Sequence, residues 1–285
     1  MGSAAWAMAC DVQQRFMQNP AAAPDNLDYS ARCRQAQELG GDCYDFVPLR
    51  DGCLAIAVGD ASGKGLAAAL MISNVQASLR TAALFHGNDG AATLGTVNRH
   101  VYATSLTDRY ATLFYGVFDE TAGSLRYVNA GHTPPIVIRR DGFAERLEAG
   151  GAPVGMFADW PYEEGAVQLD PEDLVVAYTD GVTEAENPLG EMWGVGGLLR
   201  AAAENRARST GDIVKAIFRA MDEFTRGRQT DDATVVVVRR RSQPARRDSL
   251  PAIGTTIAIS SQEASGTTRN ANAGLDLGCP SATSA

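Results

Sequence analysis

Aspartate recurs where an apolar run gives way to glycine or polar residues: Asp42 in LGGDCYDF, Asp60 in VGDASGKGLAAAL, Asp180 in LVVAYTDG, and the adjacent Asp231 and Asp232 in DDATVVVV. Aspartate commonly ends strands and starts turns, so one such position says little. Four stretches invite a shared site, because strand ends are where side chains from distant parts of a chain can converge. Two carboxylates about 4 Å apart repel by about 4 kcal/mol at an effective dielectric of about 20, so a gathered set must be offset by protons or by cations. Ligation by oxygen alone suits hard Mg²⁺ or Mn²⁺, whereas zinc prefers histidine and cysteine. Two such ions about 3.5–4 Å apart can clamp a phosphoryl group and make water a nucleophile near neutral pH. The glycines around Lys64 do not form a P-loop: Gly65 stands where that motif needs Ser or Thr, and Val58 where it needs its first glycine.

These aspartates need strands to carry them. CLAIAVG delivers Asp60 to a strand end, and DCYDFVPL, ATLFYGVFD, SLRYVNAG and PPIVIRR are further short apolar or alternating runs punctuated by Gly, Pro and Asp. FDETAGSLRY reads as a hairpin turn between two of them. Helical segments interrupt the strands. Residues 64–85 carry Leu66, Leu70, Val75 and Leu79 among alanines, and STGDIVKAIFRAMDEFTR sets Ile213, Val214, Ile217, Phe218, Met221 and Phe224 along one face. Ser209 and Asp212 have capping-box spacing for the second helix. AMACDVQQRFMQ, residues 7–18, predicts a short helix ahead of a turn-rich stretch. The expected organisation is an N-terminal helix and linker over 1–27, one domain over 28–241, and a disordered tail over 242–285 that is poor in large apolar residues.

Composition narrows the function classes. Of 285 residues 45% are hydrophobic and 21% charged, ordinary for a globular protein, and the formal charge of −9 disfavours general affinity for nucleic acid. No run approaches the length of a membrane span and no secretory leader is evident, so a cytoplasmic location without membrane attachment is expected. The five cysteines are odd in number and form no CxxC pair, which reads as reduced thiols rather than a disulfide framework or a zinc knuckle.

In chain order, GGDCYDF, VGDASGKGLAAAL, NAGHTPP, YTDGVTEAEN and DDATVVVV resemble the bacterial PPM-type serine/threonine phosphatases, the branch of the protein phosphatase 2C superfamily named for sporulation stage II protein E. The resemblance spans residues 28 to 240. It implies an α+β fold, a four-layer αββα sandwich of two antiparallel sheets flanked by helices. It further implies two Mn²⁺ or Mg²⁺ ions held by Asp42, Asp60, the Ala61 carbonyl, Asp180 and Asp231, with Asp60 bridging the ions and Asp60 and Asp180 acting in catalysis. Asp45, Ser62, Gly63, Lys64 and Asp232 are candidates for supporting those ligands or touching substrate. The implied reaction is hydrolysis of phosphoserine or phosphothreonine by metal-activated water. The implied substrate is a phosphorylated regulatory protein, an anti-anti-sigma factor of the STAS type; the N-terminal helix is a candidate junction to an upstream sensor domain or activator, or alternatively an element of a homodimer. Two features depart from the wider superfamily: Ser62 stands where eukaryotic-type members carry a histidine, and Arg32 and Arg34 are no clear equivalent of their N-terminal phosphate-gripping arginine.

Other readings compete. A catalytically weak module that binds the same phosphoprotein would keep the fold. A metal-dependent nucleotide or phosphodiester hydrolase shares the two-metal logic, against which stand the acidity of the chain and the lack of a base-stacking aromatic cluster. His132 and Asn129 read as turn-stabilising residues, Lys64 as a solvated lysine, Glu184 and Glu186 as a solvated acidic loop, and the basic run at 239–247 as a solvated boundary.

Overall fold

A computed structural model describes residues 3–17, 24–106 and 108–242. The chain divides into Met1–Ala245 and Arg246–Ala285. The second unit lies outside the described residues, and with it nearly all of the expected tail.

Helix α1 (Ser3–Met17) precedes strands β1 (Leu27–Arg34), β2 (Asp42–Pro48) and β3 (Cys53–Ala61). Helices α2 (Leu66–His86) and α3 (Gly90–Thr104) follow, then β4 (Ala111–Asp119), β5 (Ser124–Ala130), β6 (Ile136–Ile138), β7 (Ala144–Arg146), β8 (Gly150–Gly151), β9 (Gly165–Gln168) and β10 (Leu174–Tyr178). The chain closes with α4 (Asp180–Thr183), α5 (Gly194–Glu204), α6 (Thr210–Thr225) and β11 (Ala233–Arg240). Helix α1 begins earlier than residue 7 because Ala4 and Ala5 are strong helix formers.

The strands form two sheets, ordered β1-β11-β10-β6-β7 and β2-β3-β4-β5-β8, with β9 also on β5. All pairings are antiparallel except the short β5–β8 contact. Strand β11 is a β-branched run buried through Arg239, as a central strand covered on both faces must be. Between the sheets lie Phe46, Ile56, Phe114, Phe118, Val175 and Val236. The outer face of the β2–β5 sheet packs on α2 and α3 through Ile72, Val75, Leu79, Leu94 and Val97. The outer face of the other sheet packs on α5 and α6 through Leu198, Ile213, Ile217 and Phe218. The result is the expected αββα sandwich.

The local signals work as their chemistry dictates. Ser209 caps α6, its Oγ accepting from the Asp212 amide at 3.2 Å, and Asp89 caps α3 by accepting from Ala92 at 2.8 Å. The β4–β5 hairpin turns at Asp119, whose Oδ1 accepts from the amides of Thr121 and Ala122. No described helix is long and apolar enough to cross a membrane.

Candidate metal centre

The aspartates meet at one edge of the sandwich, and two threonines set the meeting point. Asp42 and Asp60 are register partners across the β2–β3 ladder. Asp42 is 2% exposed and turned toward the opposite sheet, where its Oδ2 accepts from Thr179 Oγ1 and Thr234 Oγ1, both at 2.7 Å. Thr179 follows β10 immediately ahead of Asp180, and Thr234 lies in β11 just past Asp231 and Asp232. These threonines also bond each other's backbone, Thr179 N donating to the Thr234 carbonyl and Thr234 N to Thr179 Oγ1. Tying β10 and β11 to Asp42 thereby brings Asp180 and Asp231 alongside Asp60.

The charge field reports how closely they gather. Burial, then the charges of Asp180, Asp231 and Asp232, push Asp60 up to about 7, with Lys64 pulling the other way. Asp180 is raised by burial and then by Asp231. Burial and the Asp60 charge hold Asp42 well above the usual carboxylate range despite its two hydroxyl donors. The adjacent pair at 231 and 232 divides its work. Asp232 takes the amides of Ala36 and Gly41 on its two oxygens, each at 2.7 Å, and so latches the β1–β2 connection to β11. Asp231 presents Oδ2 to Lys64 Nζ at 2.7 Å.

The donor set fits a hard divalent cation. A Cβ on Gly41 would lie 3.2 Å from the Ala61 carbonyl oxygen and 3.4 Å from Asp60 Oδ1, so glycine keeps open a space onto which both oxygens face. The gathered carboxylates and the Ala61 carbonyl offer oxygen, and the repulsion among the carboxylates is what a cation relieves. Among the described residues, however, no three acidic, histidine or cysteine side chains already stand as a bound ion would hold them. Asp42 is engaged by threonines and Asp231 by Lys64.

The remaining candidates separate. Ser62 N donates to the Tyr110 carbonyl and Ser62 Oγ accepts from Tyr110 N, so this serine fastens the turn after Asp60 to the start of β4. Gly63 adopts φ 95° within that turn. Asp45 is not brought to the group. It shares the strand face of Cys43 and Val47, three positions from Asp42 and hence on the opposite side, and receives Arg80 of α2 through Nε at 2.6 Å and Nη2 at 2.8 Å. His132 is 5% exposed, shares a hydrogen bond with Thr112 Oγ1 through Nδ1 at 2.8 Å, and is driven by burial down to about 4. It is therefore neutral at pH 7. Asn129 accepts from the His132 amide at 2.7 Å, the turn role expected for it. Thr179 and Thr234 escaped the sequence reading. The threonines had a signal: each adjoins an aspartate motif, and the alternation of β11 turns Thr234 toward the opposite sheet.

A family model described as Stage II sporulation protein E (SpoIIE) matches residues 50–241. The chain belongs to this family. SpoIIE-family similarity extends to protein IcfG of Synechocystis sp., 30% identical over 80% of this chain and 40% of that protein. It extends also to phosphoserine phosphatase RsbU of Bacillus subtilis, 28% identical over 82% of this chain and 69% of that protein. The chain thus spans well under half the length of IcfG. Among solved structures, the SiaA-PP2C domain of Pseudomonas aeruginosa superposes with a TM-score of 0.72 at 20% identity, covering 83% of this chain and 96% of that one, which shows the same fold.

Proposed function

We propose that this chain is a metal-dependent protein serine/threonine phosphatase. What supports the reading above all is the convergence of Asp42, Asp60, Asp180 and Asp231, four separate strand-end positions, on one edge where each of the first three is raised by burial and a neighbouring carboxylate. Asp60, Asp180, Asp231 and the Ala61 carbonyl would hold Mn²⁺ or Mg²⁺, two ions by family resemblance, with Asp42 completing the set. Such ions, when bound, supply Lewis-acid chemistry, neutralising phosphoryl charge and acidifying water. The chain's own part is positional. Thr179 and Thr234 fix Asp42, Asp232 fixes the β1–β2 connection, and Ser62 fixes the turn that carries the Ala61 carbonyl. Lys64 serves as an internal counter-ion for Asp231 and must release it for that carboxylate to ligate.

Similarity to the phosphoserine phosphatase RsbU supports a phosphoserine substrate, and the family resemblance supports a phosphorylated regulatory protein, with an anti-anti-sigma factor of the STAS type as the specific candidate. The decisive experiment measures phosphate release from p-nitrophenyl phosphate and from a phosphoserine protein, with Mn²⁺, with Mg²⁺ and with EDTA, for wild type and Asp60→Asn. Metal-dependent release that disappears in Asp60→Asn is the expected result. A folded wild type that releases phosphate with neither metal would overturn the reading.

A further inference from the structure

Beside the carboxylates, the segment that leads into β4 is zipped onto the turn after Asp60. Arg109 Nη1 donates to the Ser62 carbonyl at 2.9 Å, and Tyr110 bonds Ser62 in both directions. The guanidinium lies over Gly63, where a Cβ would collide with Nη1. A side chain at position 63 would displace the guanidinium from this place. Two cations touch the segment after Asp60, and they differ in availability. Lys64 is bound to Asp231, whereas Arg109 is exposed and, among the described residues, pairs with no carboxylate. A guanidinium held by one backbone carbonyl keeps the rest of its fork for a planar or phosphate oxyanion.

Arg109 also lines a trough of about 480 Å³ together with Tyr102, Leu106, Tyr110 and Met156. Its far wall is rigid. Asn98, 1% exposed, accepts from the Gly155 amide and donates to the Phe157 carbonyl, both at 2.9 Å, which pins this loop to α3. Leu106 is 76% exposed and Tyr102 49%, so apolar surface is presented beside a cation next to the proposed reaction centre. The lining's acidic point is Asp108.

We propose that this trough docks the phosphorylated segment of the protein substrate, with Arg109 gripping the phosphate and Leu106 and Met156 covering apolar residues beside the phosphoserine. This rests on the phosphatase reading for the identity of the occupant. The charge pattern selects it: Arg109 complements a phosphate dianion, and Asp108 repels further acidic residues next to it. The preferred substrate is thus a phosphoserine or phosphothreonine flanked by apolar residues rather than by aspartate or glutamate.

The test uses Arg109→Gln, which keeps an amide donor for the Ser62 carbonyl and removes the charge, and Leu106→Glu. With Mn²⁺, Arg109→Gln is expected to raise KM for a leucine-flanked phosphoserine peptide, and Ki for inorganic phosphate, by about tenfold, as loss of a charge-assisted hydrogen bond does. Mn²⁺ affinity by calorimetry and Tm should stay unchanged, and Arg109→Lys should fall between the two. Leu106→Glu should raise KM for the peptide more than KM for p-nitrophenyl phosphate, because only the peptide also loses an apolar contact. Unchanged KM and Ki in Arg109→Gln, or an equal effect of Leu106→Glu on both substrates, would overturn the proposal. Should wild type hydrolyse neither ester, the phosphatase reading fails separately, and fluorescence anisotropy of the labelled peptide decides: a preference over its unphosphorylated twin that vanishes in Arg109→Gln sustains the trough, and no preference overturns it.

Discussion

Asp60 is the residue on which the electrostatics of the edge concentrate, and it links pH to stability in a definite direction. In metal-free protein it binds its proton up to about 7, against an ordinary aspartate near 3.9 in the unfolded chain. Between pH about 4 and 7 the unfolded state has already lost the proton that the folded state keeps, so this group's contribution falls as pH rises through that window and is level above it. His132 acts oppositely: held neutral down to about 4, it makes stability rise with pH up to its unfolded value near 6.5. The difference between wild type and Asp60→Asn isolates the first effect. Thermal unfolding in EDTA from pH 4.5 to 8 should show Asp60→Asn gaining on wild type as pH rises, and parallel curves would remove the stated crowding. Lys64 is the second lever at this scale. Its pair with Asp231 is half-exposed and so contributes about 0–1 kcal/mol to the fold. Lys64→Met removes a competitor of the metal for Asp231, and calorimetry should find Mn²⁺ binding up to about fivefold tighter, the factor that 1 kcal/mol allows. Weaker binding would mean that the lysine supports the metal instead.

At the scale of elements, β2 serves two masters from its two faces. Asp42 looks across to the other sheet, and Asp45 looks outward to α2, where Arg80 and Gln76 meet a carboxylate whose side chain is fully buried. Gln76 also donates to the carbonyls of Phe16 and Tyr44, so the same cluster joins α1 to α2 and β2. Arg80→Ala removes the guanidinium that pairs with the buried Asp45 side chain, which costs about 3 kcal/mol, the lower end for breaking a buried pair. Urea unfolding should record that loss, and a change below about 0.5 kcal/mol would show the pair to be no more than a surface bridge. The strand-end aspartates were legible because each stands at a change of hydropathy within a distinctive motif. The side of the strand on which Asp45 falls was legible too, from parity alone, yet its nearness in sequence to Asp42 suggested a shared site. Leu70 shows the limit of reading a helix by its apolar residues: in alanine-rich α2 the buried row is Ala68, Ile72, Val75, Leu79 and Ala83, while Leu70 is 64% exposed. Arg109 carried no local signal, because what brings it to Ser62 is the continuation of the β3–β4 ladder across a separation of 47 residues.

For the whole molecule, the sandwich trades stability for a site. Two well-packed sheets hold carboxylates together that would separate if the chain were free, and a ligand that binds only the folded form returns stability by mass action. At a free metal concentration about 100 times its Kd that gain is about 2.7 kcal/mol. A folded unit near 240 residues shifts by about 2–4 °C per kcal/mol, so saturating Mn²⁺ should raise Tm by about 5–10 °C over EDTA. Both Asp60 and Asp180 should be needed for this rise, and Asp60→Asn or Asp180→Asn should each abolish most of it while melting at or above the metal-free wild type. The second half of that expectation distinguishes a binding site from a structural carboxylate. Removing a structural aspartate lowers Tm in EDTA and leaves the metal-induced rise in place; removing one of a mutually repelling set does the reverse. A Tm that Mn²⁺ leaves unmoved, at concentrations up to the millimolar range of weak divalent sites, would show that the gathered carboxylates are balanced by protons and Lys64 instead of by a cation.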